Sequence, residues 1–444
     1  MSKMPRGEIH GTYDRRRLLR TAGLAAAGMA LSSPALAACQ VGAGAKSSAR
    51  SRSLKIGFVS PRTGPAASFG ESDSYVLELA RSALASGLAV GGNTYQVEIL
   101  DRDGQSDPQH SARVANDLIN SDQVDLMLAT STAETVNPVS DACEAAGVPC
   151  ISTVVPWESW YFGRGGKPEQ KKAFTYTYHF CFGVAEFHNA YTHLWPQVAT
   201  NRKVGVLWPN DSTGNAIRQT LGPLLTKSGY TVVDPGAYTD GTNDYSSQIA
   251  RFKAERCDIF STFPIPSDFA TFWRQAIQQG YHPKIAQTAK TGVFPSQVES
   301  LGPIGVGLAG AAYWTPAFPY TSSLTKVSSQ RLGDGYQKAA GKQWNQQLGP
   351  SLALFDAAAA AFTAASDPQD RQAVAQAIAR LDVETPVGRL HWGSGPNANV
   401  VATPILGGQW RASAAGSQFP LDFVLCENSS DPMVPVTTRL QPLR

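Results

Sequence analysis

The chain has 444 residues, 38 basic and 35 acidic side chains, and a formal charge of +3. That length exceeds one ordinary core and points to two or three domains, at roughly 100–200 residues each. With 42% hydrophobic and 16% charged residues it is not disordered, collagen-like or coiled-coil, and six cysteines are too few for a disulfide-built scaffold.

Residues 1–38 read as an export signal. Lys3, Arg6, Arg15, Arg16, Arg17 and Arg20 precede an apolar stretch, Thr21 to Ala38, too short and too weakly apolar for a spanning helix. Asp14 to Arg20 resembles a twin-arginine motif. Leu36-Ala37-Ala38-Cys39 resembles a lipobox, which makes Cys39 the expected lipidated first residue of the mature chain. The signal takes six basic and two acidic residues with it. The remainder then has 32 basic and 33 acidic side chains, a net of −1, and no basic run that would mark a nucleic-acid surface. Residues 39–53 have the composition of a flexible tether. Five cysteines follow Cys39, so at least one is unpaired; Cys143 with Cys150 is a conceivable bridge that spacing alone does not decide.

The body alternates strand and helix. Leu54 to Val59 is a β-branched run ending in a Pro/Gly turn, and Ser72 to Leu88 has apolar residues at helical spacing. Tyr95 to Leu100 is a strand, and Asp107-Pro108 opens a helix through Ile119. A strand at Val124 to Ala129, a helix at Ala133 to Ala145 and a strand at Val148 to Ser152 complete a β-α-β-α-β-α-β series. The cadence restarts at Lys203 and runs on to a helix at Asp268 to Gln279. The fold class is therefore α/β, with parallel sheets flanked by helices in two lobes. In such sheets ligands bind beyond the carboxyl ends of the strands, here in the cleft between lobes.

The stretch LKIGFVSPRTGPAASFGE, from Leu54 to Glu71, is similar to the opening of the branched-chain amino acid binding family of type I periplasmic binding proteins. The resemblance continues through Val97 to Ser152, Lys203 to Gly214, Gly241 to Gly280 and the late TPVGRL. It implies two lobes and three crossovers, placed near Gly183, Ala312 and Gly388. Lobe 1 is then 54–182 plus 313–387, and lobe 2 is 183–312 plus 388–444. The helices Leu324–Ala340 and Ser351–Ala365 return to lobe 1. The resemblance also implies a small-molecule ligand, delivery to an ATP-binding-cassette permease, and hinge closure.

Four loops are expected to line the cleft. Phe69 matches an aromatic that touches ligand in the family. Ser131, Thr132 and Ala133 lie between a strand end and a helix start, where N–H groups and hydroxyls suit an anionic group; plain N-capping is the competing role. Thr153, Val155 and Trp157 follow the next strand, and the aromatic cluster Trp157, Trp160, Tyr161 and Phe162 either stacks on ligand or packs the insertion 157–180. Phe263 and Lys290 come from the second lobe. Amino-acid binders of the family carry an acid near the last position. Here Gln287-Thr288-Ala289-Lys290-Thr291 stands there, with no acid between Asp268 and Glu299. That departure favours a carboxylate, amide or aromatic acid, paired with Lys290 unless the lysine is simply solvated.

No G-x-S-x-G, H-E-x-x-H, P-loop or strand-borne G-x-G-x-x-G is present. His179, His188 and His193 are spaced wrongly for one metal-binding face. The expectation is an exported, lipid-anchored solute-binding protein without enzymatic activity, cofactor, metal or nucleic-acid partner. A ligand sensor of the same fold and an exported hydrolase are the alternatives.

Overall fold

The structure is a computed structural model that describes residues 52–443. The expected signal, the Cys39 lipid site and most of the tether lie outside the described residues. The tether is expected to run to residue 53, but Ser53 already pairs with Gln96 in the first strand.

The chain opens with strands β1 (Ser53–Ser60), β2 (Leu88–Val90), β3 (Asn93–Asp103), β4 (Leu126–Thr130), β5 (Cys150–Thr153) and β6 (Thr177–Phe180). Helices α1 (Asp73–Leu84), α2 (Pro108–Asn120), α3 (Ala133–Ala146) and α4 (Trp157–Tyr161) alternate with them. Local chemistry sets the boundaries. Asp107 caps α2 by accepting from His110 N, with Pro108 in the first turn. Gly91 and Gly92, with φ of 55° and 79°, turn the β2–β3 hairpin. That hairpin ends the expected helix at Leu84 rather than Leu88.

The chain then crosses into α5 (Val184–Leu194) and builds β7 (Lys203–Leu207), α6 (Ser212–Lys227), β8 (Thr231–Val233), α7 (Ser246–Ala254), β9 (Ile259–Thr262), α8 (Pro266–Gln278), β10 (Ile285–Thr288), α9 (Pro295–Glu299) and β11 (Ala309–Ala312). It crosses back to α10 (Ser329–Ala340), α11 (Leu348–Ala364), α12 (Arg371–Ile378) and the hairpin β12 (Asp382–Thr385) and β13 (Gly388–His391). It closes with β14 (Val400–Val401), β15 (Leu406–Ala412) and β16 (Leu421–Glu427).

Two seven-stranded sheets result. The first runs β2-β3-β1-β4-β5-β6-β14, and the second β8-β7-β9-β10-β11-β15-β16. Both are parallel at the centre; β2 on the first and β15 and β16 on the second pair antiparallel. α11 is buried almost all round because α1 and α12 pack it against β4 and β5, with Phe355 stacked on Phe58 at 5.6 Å.

The third crossover is not near Gly388. Gly388, at φ 101°, opens β13, which pairs with β12 in a separate two-stranded hairpin, and the chain then joins the first sheet where β14 pairs with His179 and Phe180 of β6. Trp392 pins this stretch by packing edge-on to Tyr178 and Phe180. The chain leaves for β15 only after Val401, so residues 388–401 belong with the first lobe and not, as expected, with the second.

The insertion packs as core. Trp160 stacks on His179 at 4.9 Å, and the fully buried Arg164 side chain lies 4.7 Å from the Trp160 ring and 4.1 Å from Phe174. His179 lies within hydrogen-bond reach of Ser152 Oγ and Val155 O, each at 2.8 Å. Burial pushes its pKa down to about 3 against the pull of the Val155 carbonyl, so it is a neutral core histidine. Cys143, Cys150, Cys181, Cys257 and Cys426 are all buried and unpaired. No described helix is long and apolar enough to cross a membrane.

Candidate functional site

The carboxyl ends of β4 and β5 in the first sheet face those of β7, β9 and β10 in the second. Their exit loops line a cavity of about 50 Å³. The first lobe contributes Phe69, Thr132 and Val154 to Pro156; the crossovers contribute Phe182 and Tyr313; the second lobe contributes Phe187, Thr213, Phe263, Ala289, Lys290, Val293 and Ala311.

The first-lobe loops are strained where they meet the cavity. Ser131, Thr132 and Val154 have φ of 69°, 65° and 60°. These are left-handed values, which a residue other than glycine adopts at a cost of about 1–3 kcal/mol. Thr132 precedes α3 but its hydroxyl makes no cap hydrogen bond. The helix N-terminus, with its partial positive charge, is therefore left uncapped by that side chain at the cavity edge.

The cavity wall is an aromatic belt. Phe263 meets Phe187 edge-on at 5.0 Å, Phe187 meets Phe182 at 5.1 Å, and Phe182 stacks on Tyr313 at 5.2 Å. The belt runs from the second sheet across both central crossovers. Phe69 closes it from the first lobe by packing edge-on to Phe294 of the second, at 4.8 Å. Gln297 Nε2 donates to Ser68 Oγ beside it, so the lobes touch along this rim.

Lys290 is the charged lining residue, and it has a partner. Its Nζ lies 2.7 Å from Asp211 Oδ2, with the two side chains 13% and 11% exposed. Burial alone would lower the lysine pKa, but Asp211, then Glu134 and Asp240, outweigh it and raise the pKa above its ordinary value. Lys290 is thus a charged, immobilised ammonium. Asp211 is fixed in turn, because its other oxygen caps α6 at Gly214 N.

Of the residues singled out in the sequence, Phe69, Thr132, Val155, Phe263 and Lys290 line the cavity. The others sit behind it. Ser131 is buried and donates to Gln347 Oε1 at 3.0 Å. Ala133 starts α3 and packs in the first-lobe core. Thr153 donates to Phe180 O at 2.7 Å and faces a second, smaller cavity of about 10 Å³. Trp157 packs on the first crossover, where a Cβ at Gly183 would stand 2.1 Å from its Nε1. Trp160 and Tyr161 are core rather than cavity. Among the described residues no group of three His, Cys, Asp or Glu is placed to hold a metal ion.

Sequence reasoning missed Phe182, Phe187, Tyr313, Thr213 and Asp211. Phe182 and Tyr313 flank the expected crossovers, and that position was the available signal. Asp211 shows only as an N-cap before a helix, since its pairing with Lys290 spans 79 residues.

A family model for periplasmic binding proteins matches residues 53–415. Leu/Ile/Val-binding protein homolog 7 of Brucella suis biovar 1 (strain 1330) is 24% identical over 391 residues, covering 83% of this chain and 92% of the relative. A leucine-binding protein of Thermotoga maritima superposes with a TM-score of 0.68 at 17% identity, over 85% of this chain and 99% of its own. An R. palustris ABC-transporter solute-binding protein solved with benzoate superposes with a TM-score of 0.64 at 16% identity, over 85% and 99%. This chain belongs to the periplasmic binding protein family. Its fold is the two-lobed type I arrangement, and these relatives are binding proteins, not enzymes.

Proposed function

We propose that this periplasmic binding protein is the solute-binding subunit of an ATP-binding-cassette importer, working outside the cytoplasmic membrane. It captures a small molecule of amino acid, amide or carboxylate type in the interlobe cleft, and the closed form docks on permease subunits. The observation that carries this reading is the cavity itself: both lobes and both central crossovers line it, so a solute there touches everything that must move together.

The aromatic belt favours a solute with an apolar or flat body. A carboxylate head suits two places: the α3 N-terminus beside Thr132, and the Lys290 ammonium if it displaces or shares Asp211. The relative solved with benzoate and the relatives named for leucine supply the bracket of solutes to try. On this reading Ser131, Ala133, Thr153 and Trp157 shape the cleft from behind, and Phe69, Thr132, Val155, Phe263 and Lys290 touch the solute.

The twin-arginine signal and the lipobox support export followed by lipid attachment at Cys39, the only membrane association proposed. Palmitate labelling that disappears in Cys39→Ala is expected; labelling that persists rules the anchor out. The binding role is tested by native mass spectrometry of protein purified without denaturant from an exporting cell. One small solute per chain, recovered chemically unchanged, is expected. A solute recovered as hydrolysed product would instead mark an enzyme.

A further inference from the structure

Behind the aromatic belt lies a buried polar tripeptide, Asn345-Gln346-Gln347, between α10 and α11. Asn345 and Gln347 belong to the first lobe. Ser72 Oγ donates to Asn345 Oδ1 at 3.2 Å, and Ser131 Oγ donates to Gln347 Oε1 at 3.0 Å. Asn345 Oδ1 also accepts from Gln347 N, which stiffens the turn.

Gln346 reaches the other way. β10 pairs with β11 only at Gln287–Ala309 and Thr288–Gly310 before it turns off. The next acceptor and donor on that edge of the chain are Ala311 O and Tyr313 N. The Gln346 amide takes both: its Oε1 accepts from Tyr313 N at 2.9 Å and its Nε2 donates to Ala311 O at 3.0 Å. Its backbone N donates to Val293 O at 3.4 Å. Gln346 thus replaces β10 as the strand partner of β11 just where the chain crosses between lobes. It is 1% exposed, so these bonds form away from water, where an unmade one costs about 1–3 kcal/mol.

All three residues that Gln346 holds (Val293, Ala311 and Tyr313) line the cavity. We propose that Gln346 is a positioning residue for solute capture: a first-lobe side chain that splices into the second-lobe sheet, fixes one wall of the cleft, and holds the lobes together. Separating the lobes strips the β11 edge of this partner, so Gln346 biases the molecule toward closure. The inference rests on the two-lobed cleft reading but not on which solute is bound.

The test is small-angle X-ray scattering of solute-free full-length protein, with thermal unfolding measured alongside. Gln346→Met keeps the length and removes both amide bonds; Gln346→Glu keeps the acceptor for Tyr313 N and loses the donor to Ala311 O. Gln409→Met is the matched control, since Gln409 is also buried and bonds two backbone carbonyls, of Gly307 and Gln441, beside the second sheet. The expected result is a larger radius of gyration for Gln346→Met, an intermediate one for Gln346→Glu, and none of this expansion for Gln409→Met despite a similar loss of thermal stability. Scattering of both Gln346 variants identical to wild type, with only a stability loss like that of Gln409→Met, would overturn the proposal. Because no added solute enters the measurement, a wrong solute class leaves its outcome unchanged.

Discussion

Lys290 Nζ stands 2.7 Å from Asp211 Oδ2 inside the interlobe cleft, so the ammonium's charge is balanced by a residue 79 positions away. A solute carboxylate at Lys290 has to compete with Asp211. Lys290→Ala is therefore expected to weaken benzoate roughly tenfold, about 1.4 kcal/mol. Asp211→Asn keeps a capping side chain for α6 and frees the ammonium, and it is expected to tighten benzoate by a similar factor. Isothermal titration of both variants checks this; an unchanged affinity in both would place the carboxylate elsewhere.

Thr132 holds a backbone conformation (φ 65°, ψ 147°) that suits glycine far better than threonine. Strain of about 1–3 kcal/mol is relieved in Thr132→Gly, against about 0.5–1 kcal/mol of lost chain stiffness. The variant is expected to unfold at the same temperature as wild type or higher while binding solute several-fold more weakly. A fall in both together would mean that Thr132 serves stability and not the cleft.

Glu158 lies at the first crossover, where its Oε1 accepts from Val184 N at 2.9 Å. Burial pushes its pKa up to about 7; the Val184 N–H pulls it down, and Glu186 adds to the rise. The folded chain then keeps a proton that the unfolded chain releases, between an ordinary pKa of 4.5 and about 7. Stability is full below that window, falls as pH rises through it, and is flat above, by roughly 3 kcal/mol at most. Glu158→Gln is expected to melt higher than wild type at pH 8 and no higher at pH 4.5. A difference independent of pH would show that Glu158 does not titrate in this window.

Arg164 is buried against the Trp160 and Phe174 rings, with its Nε donating to Asp141 at 2.7 Å. Arg164→Met is expected to cost about 2 kcal/mol of stability and to leave solute affinity unchanged, since the insertion lies outside the cleft. Denaturant unfolding and titration separate the two; lost affinity at unchanged stability would give the insertion a binding role.

The alternation of strands and helices was legible because each β–α unit is written in local periodicity. The strand-end loops were legible for the same reason: Phe69, Thr132, Val155, Phe263 and Lys290 all follow strands or sit beside glycines. Polar partnerships were not. The Lys290–Asp211 pair and the Gln346 splice join segments far apart in the chain, and glutamine before a helix looks like any solvated turn. The third crossover was misplaced because a glycine turn reads the same whether it changes lobe or, as at Gly388, only makes a hairpin. A two-residue strand such as Val400–Val401 leaves no periodicity to find.

The most direct measurement is a thermal-shift titration of the full-length protein with leucine, benzamide, benzoate and 4-hydroxybenzoate, repeated with Phe263→Asp. At 100 times its dissociation constant a true solute stabilises by about 2.7 kcal/mol. The expected result is a saturable shift with at least one member, benzoate foremost, that disappears in Phe263→Asp. Shifts that survive that substitution, or none across the panel, would contradict binding in the aromatic cleft.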